Sequence, residues 1–423
     1  MRYPKYKPTG IAWLPEVPEG WEMVRCKCLF TERIEKSATG IEEPLSMSQK
    51  MGIVPTKIVD VVPNAASSYV GAKKVYKGDI VFNKLKAHLG VFAVSSYDGL
   101  VSPDYAVYES TGLLNSKLIE YLFHTALYIA EFKRRSRGVA AGFMRLYSRE
   151  LFAIPCVLPP LSTQRAIVAY LDEKCGKVDR LVAAKEKEVA LLKELKQSMI
   201  AEAVTGATKV ARTDTARKMK PSGIPWLPEV PEGWEVKKVR QLAREGKTKN
   251  KGNVEKNVLS LSYGHIIRKK DVYSGLVPTD FATYQIVEKD YVVLRLTDLQ
   301  NDHKSLRCGL VGERGIITSA YVSLVPQNVL PEYLYLALHT CDLNKVFYSM
   351  GGGLRQSMNF ADVGNVFVPL PPLAEQREIV AHIEARAAKI DAAVKGLERE
   401  VAALKEYKQR LIADVVTGQR KVA

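Results

Sequence analysis

The sequence predicts an α+β protein: two similar mixed α/β globular domains separated by a pair of long antiparallel coiled-coil helices, related by a pseudo-two-fold internal repeat. Three observations predict it. A short motif is written twice, two long stretches carry apolar residues at alternating spacings of three and four, and the segments between them match only in places.

The motif comes first. Gly10–Glu22 (GIAWLPEVPEGWE) returns at Gly223–Glu235 (GIPWLPEVPEGWE). Leu158-Pro159-Pro160-Leu161 returns as Leu370-Pro371-Pro372-Leu373, and the register then holds without a gap to Thr205-Gly206 and Thr417-Gly418. A long gapless match is what a packed helix leaves, because one inserted residue turns its apolar face by about 100°. The predicted division is a first globular domain with its motif over 1–157, a first long helix over 158–206 and a basic linker over 207–222. A second globular domain over 223–369 and a second long helix with a tail over 370–423 complete it.

Within the first helix the seam reads Cys175, Val178, Val182, Lys185, Val189, Leu192, Lys196, Met199 and Ala203. Within the second it reads Ala387, Ile390, Val394, Leu397, Val401, Leu404, Lys408, Leu411 and Val415. This is coiled-coil spacing, closed in both copies by a glycine stop. A lysine sits inside each seam, Lys196 and Lys408: either its stem packs while its ammonium reaches water, or the polar pair fixes register. An internal partner of matching length makes intramolecular pairing the expectation. Two similar halves exchanged by a two-fold axis across the helices make that pairing antiparallel. The globular segments read as α+β, with strands at Ile80–Phe82, Val91–Val94, Tyr105–Tyr108, Tyr291–Leu294 and Tyr321–Leu324, and helices at Leu118–Phe132 and Glu332–His339.

Charge narrows the partners. The 423 residues carry 62 Lys and Arg against 46 Asp and Glu, a formal +16. Segments 23–157 and 236–369 each hold 18 basic against 12 acidic residues, whereas the first helix region is nearly balanced. A surplus on the divergent parts points to a polyanion bound there. No run approaches the roughly 18–20 apolar residues of a spanning helix, the start lacks a secretory signal, and the six scattered cysteines read as free thiols; the expected location is the cytoplasm.

Candidate nucleic-acid contacts fall into groups. Arg134, Arg135, Arg137 and Arg145 flank a glycine-bearing loop whose counterpart carries Arg355 and Gln356. Lys84, Lys86 and His88 follow one strand, with Arg295, Asp298 and Gln300 at the comparable place in the other domain. Tyr263 and His265 precede Arg268, Lys269 and Lys270, and Lys73 and Lys74 add a further basic pair. Arg, Lys and Gln reach phosphates and base edges, and Asp accepts from cytosine; a solvated polar loop is the alternative for the first two groups, and a phosphate clamp or solvated turn for the group at Tyr263–Lys270. Trp13, Trp21, Trp226, Trp234, Gln164, Arg165, Gln376 and Arg377 recur in matched pairs. They are read either as packing and helix-start hydrogen bonding or as partner docking. Gly246-Lys247-Thr248 lacks the glycine and leading strand of a phosphate loop, and the six histidines form no metal pattern. No catalytic constellation is found.

The paired GIxWLPEVPEGWE and LPPL…QRxIV motifs, each followed by a long helix, resemble the DNA-specificity subunit of type I restriction-modification enzymes over nearly the whole chain. The resemblance implies two target-recognition domains, each reading one half of a split, asymmetric site in double-stranded DNA, with the helices as a spacer. It also implies docking of two copies of an adenine methyltransferase subunit that carries S-adenosylmethionine, and recruitment of an ATP-dependent restriction and translocase subunit, in a prokaryotic cytoplasm. This chain itself is expected to be non-catalytic and to hold no cofactor. Two rival readings are a self-contained DNA methyltransferase, for which the Asn/Asp-Pro-Pro-aromatic tetrapeptide is missing, and a coiled-coil scaffold without DNA specificity, which leaves the basic divergent domains unexplained.

Overall fold

A computed structural model describes residues 1–48, 51–59, 68–138, 144–208, 210, 218–269, 280–302, 306–350 and 356–422. The chain separates into two compact units, one of residues 1–186 with 399–423 and one of residues 187–398. Each unit holds one globular domain and a length of both long helices.

In the first unit the elements are β1 (Tyr6–Ile11), β2 (Leu14–Pro18), β3 (Glu22–Arg25), β4 (Phe30–Glu32), β5 (Leu45–Ser48), β6 (Gly52–Pro55), β7 (Lys73–Val75), β8 (Ile80–Asn83), β9 (Phe92–Val94), β10 (Gly99–Val101) and β11 (Tyr105–Ser110). Then follow α1 (Ser116–Phe123), α2 (Ala126–Arg135), α3 (Ser148–Phe152), β12 (Pro155–Leu158) and the long helix α4 (Leu161–Thr205), whose residues from 187 on belong to the second unit. The second unit continues with β13 (Met219–Ile224), β14 (Leu227–Pro231), β15 (Glu235–Lys238), α5 (Val239–Leu242), β16 (Ala243–Glu245), β17 (Leu259–Ser262), β18 (His265–Arg268), β19 (Gln285–Val287), β20 (Val292–Leu294), β21 (Cys308–Leu310), β22 (Gly315–Ile317) and β23 (Val322–Pro326). It closes with α6 (Pro331–Leu343), α7 (Phe360–Val363), β24 (Phe367–Leu370) and the second long helix α8 (Leu373–Val416), whose residues from 399 on belong to the first unit.

The two domains have one topology. A four-stranded antiparallel sheet of order β4-β11-β8-β9 is matched by β16-β23-β20-β21. The pairs β5/β6, β7/β10, β1/β2 and β3/β12 are matched by β17/β18, β19/β22, β13/β14 and β15/β24. Central strands are covered on both faces, which is why they read as unbroken apolar runs rather than alternations. Ile80 and Phe82 of β8 enter the large core while Val81 between them enters a smaller one with Leu45, Ile53 and Val107. Val292 and Leu294 of β20 repeat this around Val293.

The long helices are not a frame apart from the domains. Ile167, Leu171 and Cys175 of α4, with Leu411, Val415 and Val416 of α8, belong to the large core of the first unit. Met199, Ile200, Ala203 and Val204 of α4, with Ile379, Val380 and Ile383 of α8, belong to that of the second. Between these ends the seam is as the heptads predict: Val178, Val182 and Val401 pack with Leu404. In the first unit Asp179 pairs with Lys408 at 2.7 Å and Glu186 with Lys405 at 2.8 Å. In the second, Lys193 pairs with Glu398 at 3.0 Å and Lys196 with Asp391 at 2.7 Å. Rising numbers on one helix meet falling numbers on the other, so the helices are antiparallel. Lys196 and Lys408 each donate across the seam to an aspartate, Asp391 and Asp179, and the further seam lysine Lys185 donates to Glu400.

Both helices end on a glycine that cannot be replaced freely. Gly206 (φ +75°) and Gly418 (φ +77°) lie in the left-handed region, and a Cβ on either would run into Pro231 and Trp234 or into Pro18 and Trp21. The glycine thus serves as helix stop and as close-approach surface. The end of α4 seats on the motif of the second domain, and the end of α8 on that of the first. Tyr6 donates its hydroxyl to the Gly418 carbonyl at 2.8 Å.

Two boundaries differ from expectation. The stretch 207–222 is not linker throughout, since β13 begins at Met219 and pairs with β14 as β1 pairs with β2. The helix expected over Leu118–Phe132 is two helices broken at His124-Thr125, whereas α6 runs unbroken through the corresponding His339-Thr340.

Candidate nucleic-acid interface

In each domain the loop leaving the second central strand meets the segment that follows the helical layer, and one hydrogen bond joins them in both copies. The Leu146 amide donates to the Lys84 carbonyl at 3.0 Å, and the Met358 amide donates to the Leu296 carbonyl at 2.9 Å. Donor and acceptor are each displaced along the chain by the interval that separates the two LPPL motifs. Two of the candidate groups are therefore brought together by main chain alone, whatever side chains the loops carry.

In the first domain, residues 84–91 close on themselves in a single 3₁₀ turn over Ala87–Leu89, ended by Gly90 at φ +76°. Lys84 is half-buried, Lys86 is exposed and His88 is half-buried. Beside them Arg137 and Arg145 exchange main-chain hydrogen bonds of 2.9 and 2.8 Å, which pinch off the glycine-bearing loop; residues 139–143 of that loop lie outside the described residues. At the end of α2, Arg134 and Arg135 both bind the buried Glu131. These hydrogen bonds, the one from Arg134 foremost, hold its carboxyl below the usual range. Two guanidiniums on one carboxylate leave a net positive helix end. Arg137, largely exposed, pairs with Glu150 at 3.2 Å.

In the second domain the equivalent loop is longer. Arg295 is half-buried and lies 4.0 Å from Asp302. Asp298 takes a positive φ of 58° and accepts from the Asn301 side-chain amide at 2.8 Å, and Gln300 is exposed. The β17/β18 hairpin turns at Tyr263 and Gly264, both at positive φ, and leaves Tyr263 85% exposed with His265 exposed beside it. Gly264 lies against Leu306, so the hairpin tip adjoins the same loop. Arg268 and Lys269 are at the other end of β18, where Arg268 grips Glu313 with two hydrogen bonds.

Several candidates stand elsewhere. Lys73 is a correction: it is buried, its ammonium donates to the Tyr105 carbonyl at 2.9 Å, and burial, then nearby Lys84, lowers its pKa. Its neighbour Lys74 points the other way and pairs with Glu35 at 3.0 Å. Gln356 is a second correction, because its side-chain amide donates to the carbonyls of Tyr348 (2.9 Å) and Met350 (3.0 Å) instead of facing outward. Lys270 and Arg355 lie outside the described residues.

Of the matched docking candidates, Trp21, Trp234, Gln164 and Gln376 are interior. Gln164 accepts from the Asn115 amide and donates to the carbonyls of Leu113 and Pro159; Gln376 accepts from Leu330 and donates to Pro371. These glutamines tie the start of each long helix to the segment leading into α1 or α6. The indole of Trp234 donates to Glu375 at 2.9 Å. Trp13 is half-buried edge-on to Tyr128, Trp226 is half-buried, and Arg165 and Arg377 are exposed.

Sequence reasoning passed over Arg307. It is fully buried, with its guanidinium inside the loop that carries Arg295, Asp298 and Gln300. Among the described residues there is no group of three His, Cys, Asp or Glu placed to hold a metal ion, and no helix is long and apolar enough to cross a membrane.

A duplicated α+β domain, each copy closed by a long helix ending on the other copy's motif, defines the class: a two-domain, basic, repeat-built binding protein. Comparison with known proteins narrows it. The model of the type I restriction modification DNA specificity domain matches residues 231–401. The chain is 27% identical to the type I restriction enzyme EcoBI specificity subunit of Escherichia coli, over 65% of this chain and 60% of that protein's length. It is 21% identical to the putative type I restriction enzyme MjaX specificity subunit of Methanocaldococcus jannaschii, over 99% of this chain and 97% of that one. A chain from a solved type I restriction-modification system superposes with a TM-score of 0.68 at 17% identity, over 95% of this chain and 98% of that one, which is a likeness of fold. Over residues 231–401 the chain is similar to the type I restriction modification DNA specificity domain, and the relatives it matches along more of its length are type I restriction enzyme specificity subunits.

Proposed function

We propose that this chain is the non-catalytic recognition subunit of a type I restriction-modification complex. Each domain reads one half of a bipartite, asymmetric DNA target, and the whole scaffolds methyltransferase subunits, two copies by the symmetry of the repeat, together with a restriction subunit. S-adenosylmethionine belongs to the methyltransferase. One observation carries the reading: the hydrogen bond that joins the two candidate loops is the same in both copies, while the side chains those loops present are Lys84, Lys86 and His88 in one and Arg295, Asp298 and Gln300 in the other. A fixed mount with exchangeable contacts suits two half-sites of different sequence.

The test is methylation mapping of a genome carrying this chain and its partner subunits. A split motif with two unlike specific halves is expected. A continuous or palindromic motif overturns the reading, as does methyl transfer by this chain alone. Binding is expected to weaken steeply with salt, by a log–log slope of about −0.9 per phosphate contact.

A further inference from the structure

We propose that Arg307 is the positioning residue for half-site recognition by the second domain; the inference rests on the function proposed above. The loop between β20 and β21 has no regular structure of its own among the described residues, and its shape is imposed from inside. The buried guanidinium donates to the carbonyls of Thr297 (2.8 Å), Arg295 (3.2 Å) and Asp298 (3.4 Å), and to that of Asp302. Its Nε donates to the Tyr348 hydroxyl at 3.1 Å, and its own main-chain amide is held by the Asp342 carboxylate at 2.7 Å. One rigid fork thus fixes four carbonyls between residues 295 and 302. Those are the residues whose neighbouring side chains form the candidate contact surface.

Taking a cation out of water is costly before compensation, and an apolar side chain fills a core at no such cost. What the cation adds is a single loop conformation, because five donors in a planar fork satisfy only one arrangement of acceptors. That arrangement includes Asp298 at φ 58°, a conformation a non-glycine residue keeps only when its surroundings hold it. Outer ties agree with this: the Leu299 amide donates to the Gln356 carbonyl at 3.1 Å, and Gln356 in turn holds the carbonyls of Tyr348 and Met350. Arg307 touches no nucleic acid in this scheme; it acts through Arg295, Asp298 and Gln300.

The experiment uses the full chain with its methyltransferase partner and duplexes altered one base pair at a time in either half of the mapped target. Wild type, Arg307→Met, Arg307→Lys and Tyr348→Phe are compared for methylation rate, with thermal melting as the check on folding. Arg307→Met is expected to lower discrimination about tenfold in one half only, leaving the other half as in wild type. Arg307→Lys is expected to restore little of it, since an ammonium lacks the fork, and Tyr348→Phe to lower the same half about threefold. Folded variants that discriminate as wild type does, or that lose both halves equally, overturn the proposal. If Arg307→Met does not fold, Tyr348→Phe decides alone: unchanged discrimination in that half overturns it. Failure of the functional reading looks different, because wild type itself would then show no half-site discrimination.

Discussion

The loops after β8 and β20 leave the same place in the same sheet, yet they are held by opposite means. Residues 84–91 form a turn closed by its own main chain, the Lys86 carbonyl accepting from Leu89 and Val91. The longer loop from residue 295 to 307 is satisfied from within by a buried arginine. The sheet, the matched hydrogen bond and the motif beneath do not differ in this way. The comparison teaches that the repeat keeps what positions a loop and releases how the loop is filled. Insertion is tolerated because each domain closes on the frame, through Gln164 or Gln376, independently of the loop.

The strongest way to break this comparison is through the tryptophans. Trp21 and Trp234 are 2% and 1% exposed and receive Gly418 and Gly206 against their rings. Trp21→Ala and Trp234→Ala are each expected to destabilise the protein by about 3–5 kcal/mol, the usual range for a buried aromatic. Chemical denaturation measures both. A large loss for one and none for the other denies that the two seats are equivalent; loss of partner binding at full stability would return the tryptophans to a docking role.

A second test sharpens the difference between the domains. His124 sits at the break between α1 and α2, stacked on Phe92 with ring nitrogens against the carbonyls of Glu120 and Gly90. His339, at the matching place in unbroken α6, is buried, and its Nδ1 has no hydrogen-bond partner. Burial first, then the charges of His265 and Lys196, lowers its pKa to about 4. A base held neutral in the fold but free to take a proton when unfolded, near pH 6.5, stabilises fully above that pH. The contribution is lost as pH falls from about 6.5 to 4, on the order of 3 kcal/mol. His339→Leu is expected to flatten that acid slope in stability measured at pH 7 and pH 4.5. An unchanged slope would assign acid sensitivity to other groups.

How much of this was legible in the sequence follows from which forces are local. The helix seam was, because its spacing is a property of consecutive residues, and Cys175, Val178, Val182 and Met199 are buried as the heptads require. The recurrence of Gln164 as Gln376 was legible too, and so was the bond each makes to the proline carbonyl of the turn before it; their bonds to Leu113, Asn115 and Leu330 were not, because those partners lie far off in sequence. Lys73 was misread because a basic pair looks uniformly solvated until a strand is known to run through it; then alternation sends Lys73 in and Lys74 out. Arg307 was hidden for a stronger reason. Its acceptors lie at 295–302 and 348, and no short window shows a lone arginine between Leu306 and Cys308 to be surrounded by carbonyls. The break at His124 was hidden likewise, since an apolar helical pattern continues across it.

The smallest effect concerns the frame itself. Lys196 and Asp391 form the same contact as Lys408 and Asp179, because the two lysines hold equivalent places in the repeat and so do the two aspartates. Parallel helices in register would set Lys196 beside Lys408 and Asp179 beside Asp391, two repulsions in place of two attractions. The four charges thus specify direction more than strength, since pairs this exposed are worth about 0.2–1 kcal/mol. Lys196→Asp is expected to cost up to about 1 kcal/mol, and adding Asp391→Lys to recover most of it; a double-mutant cycle in denaturant reads the coupling. High salt should erase that coupling. If the cycle closes at zero at low salt, direction is set by the valines at 178, 182 and 401 alone, and the lysines do no more than shield the seam.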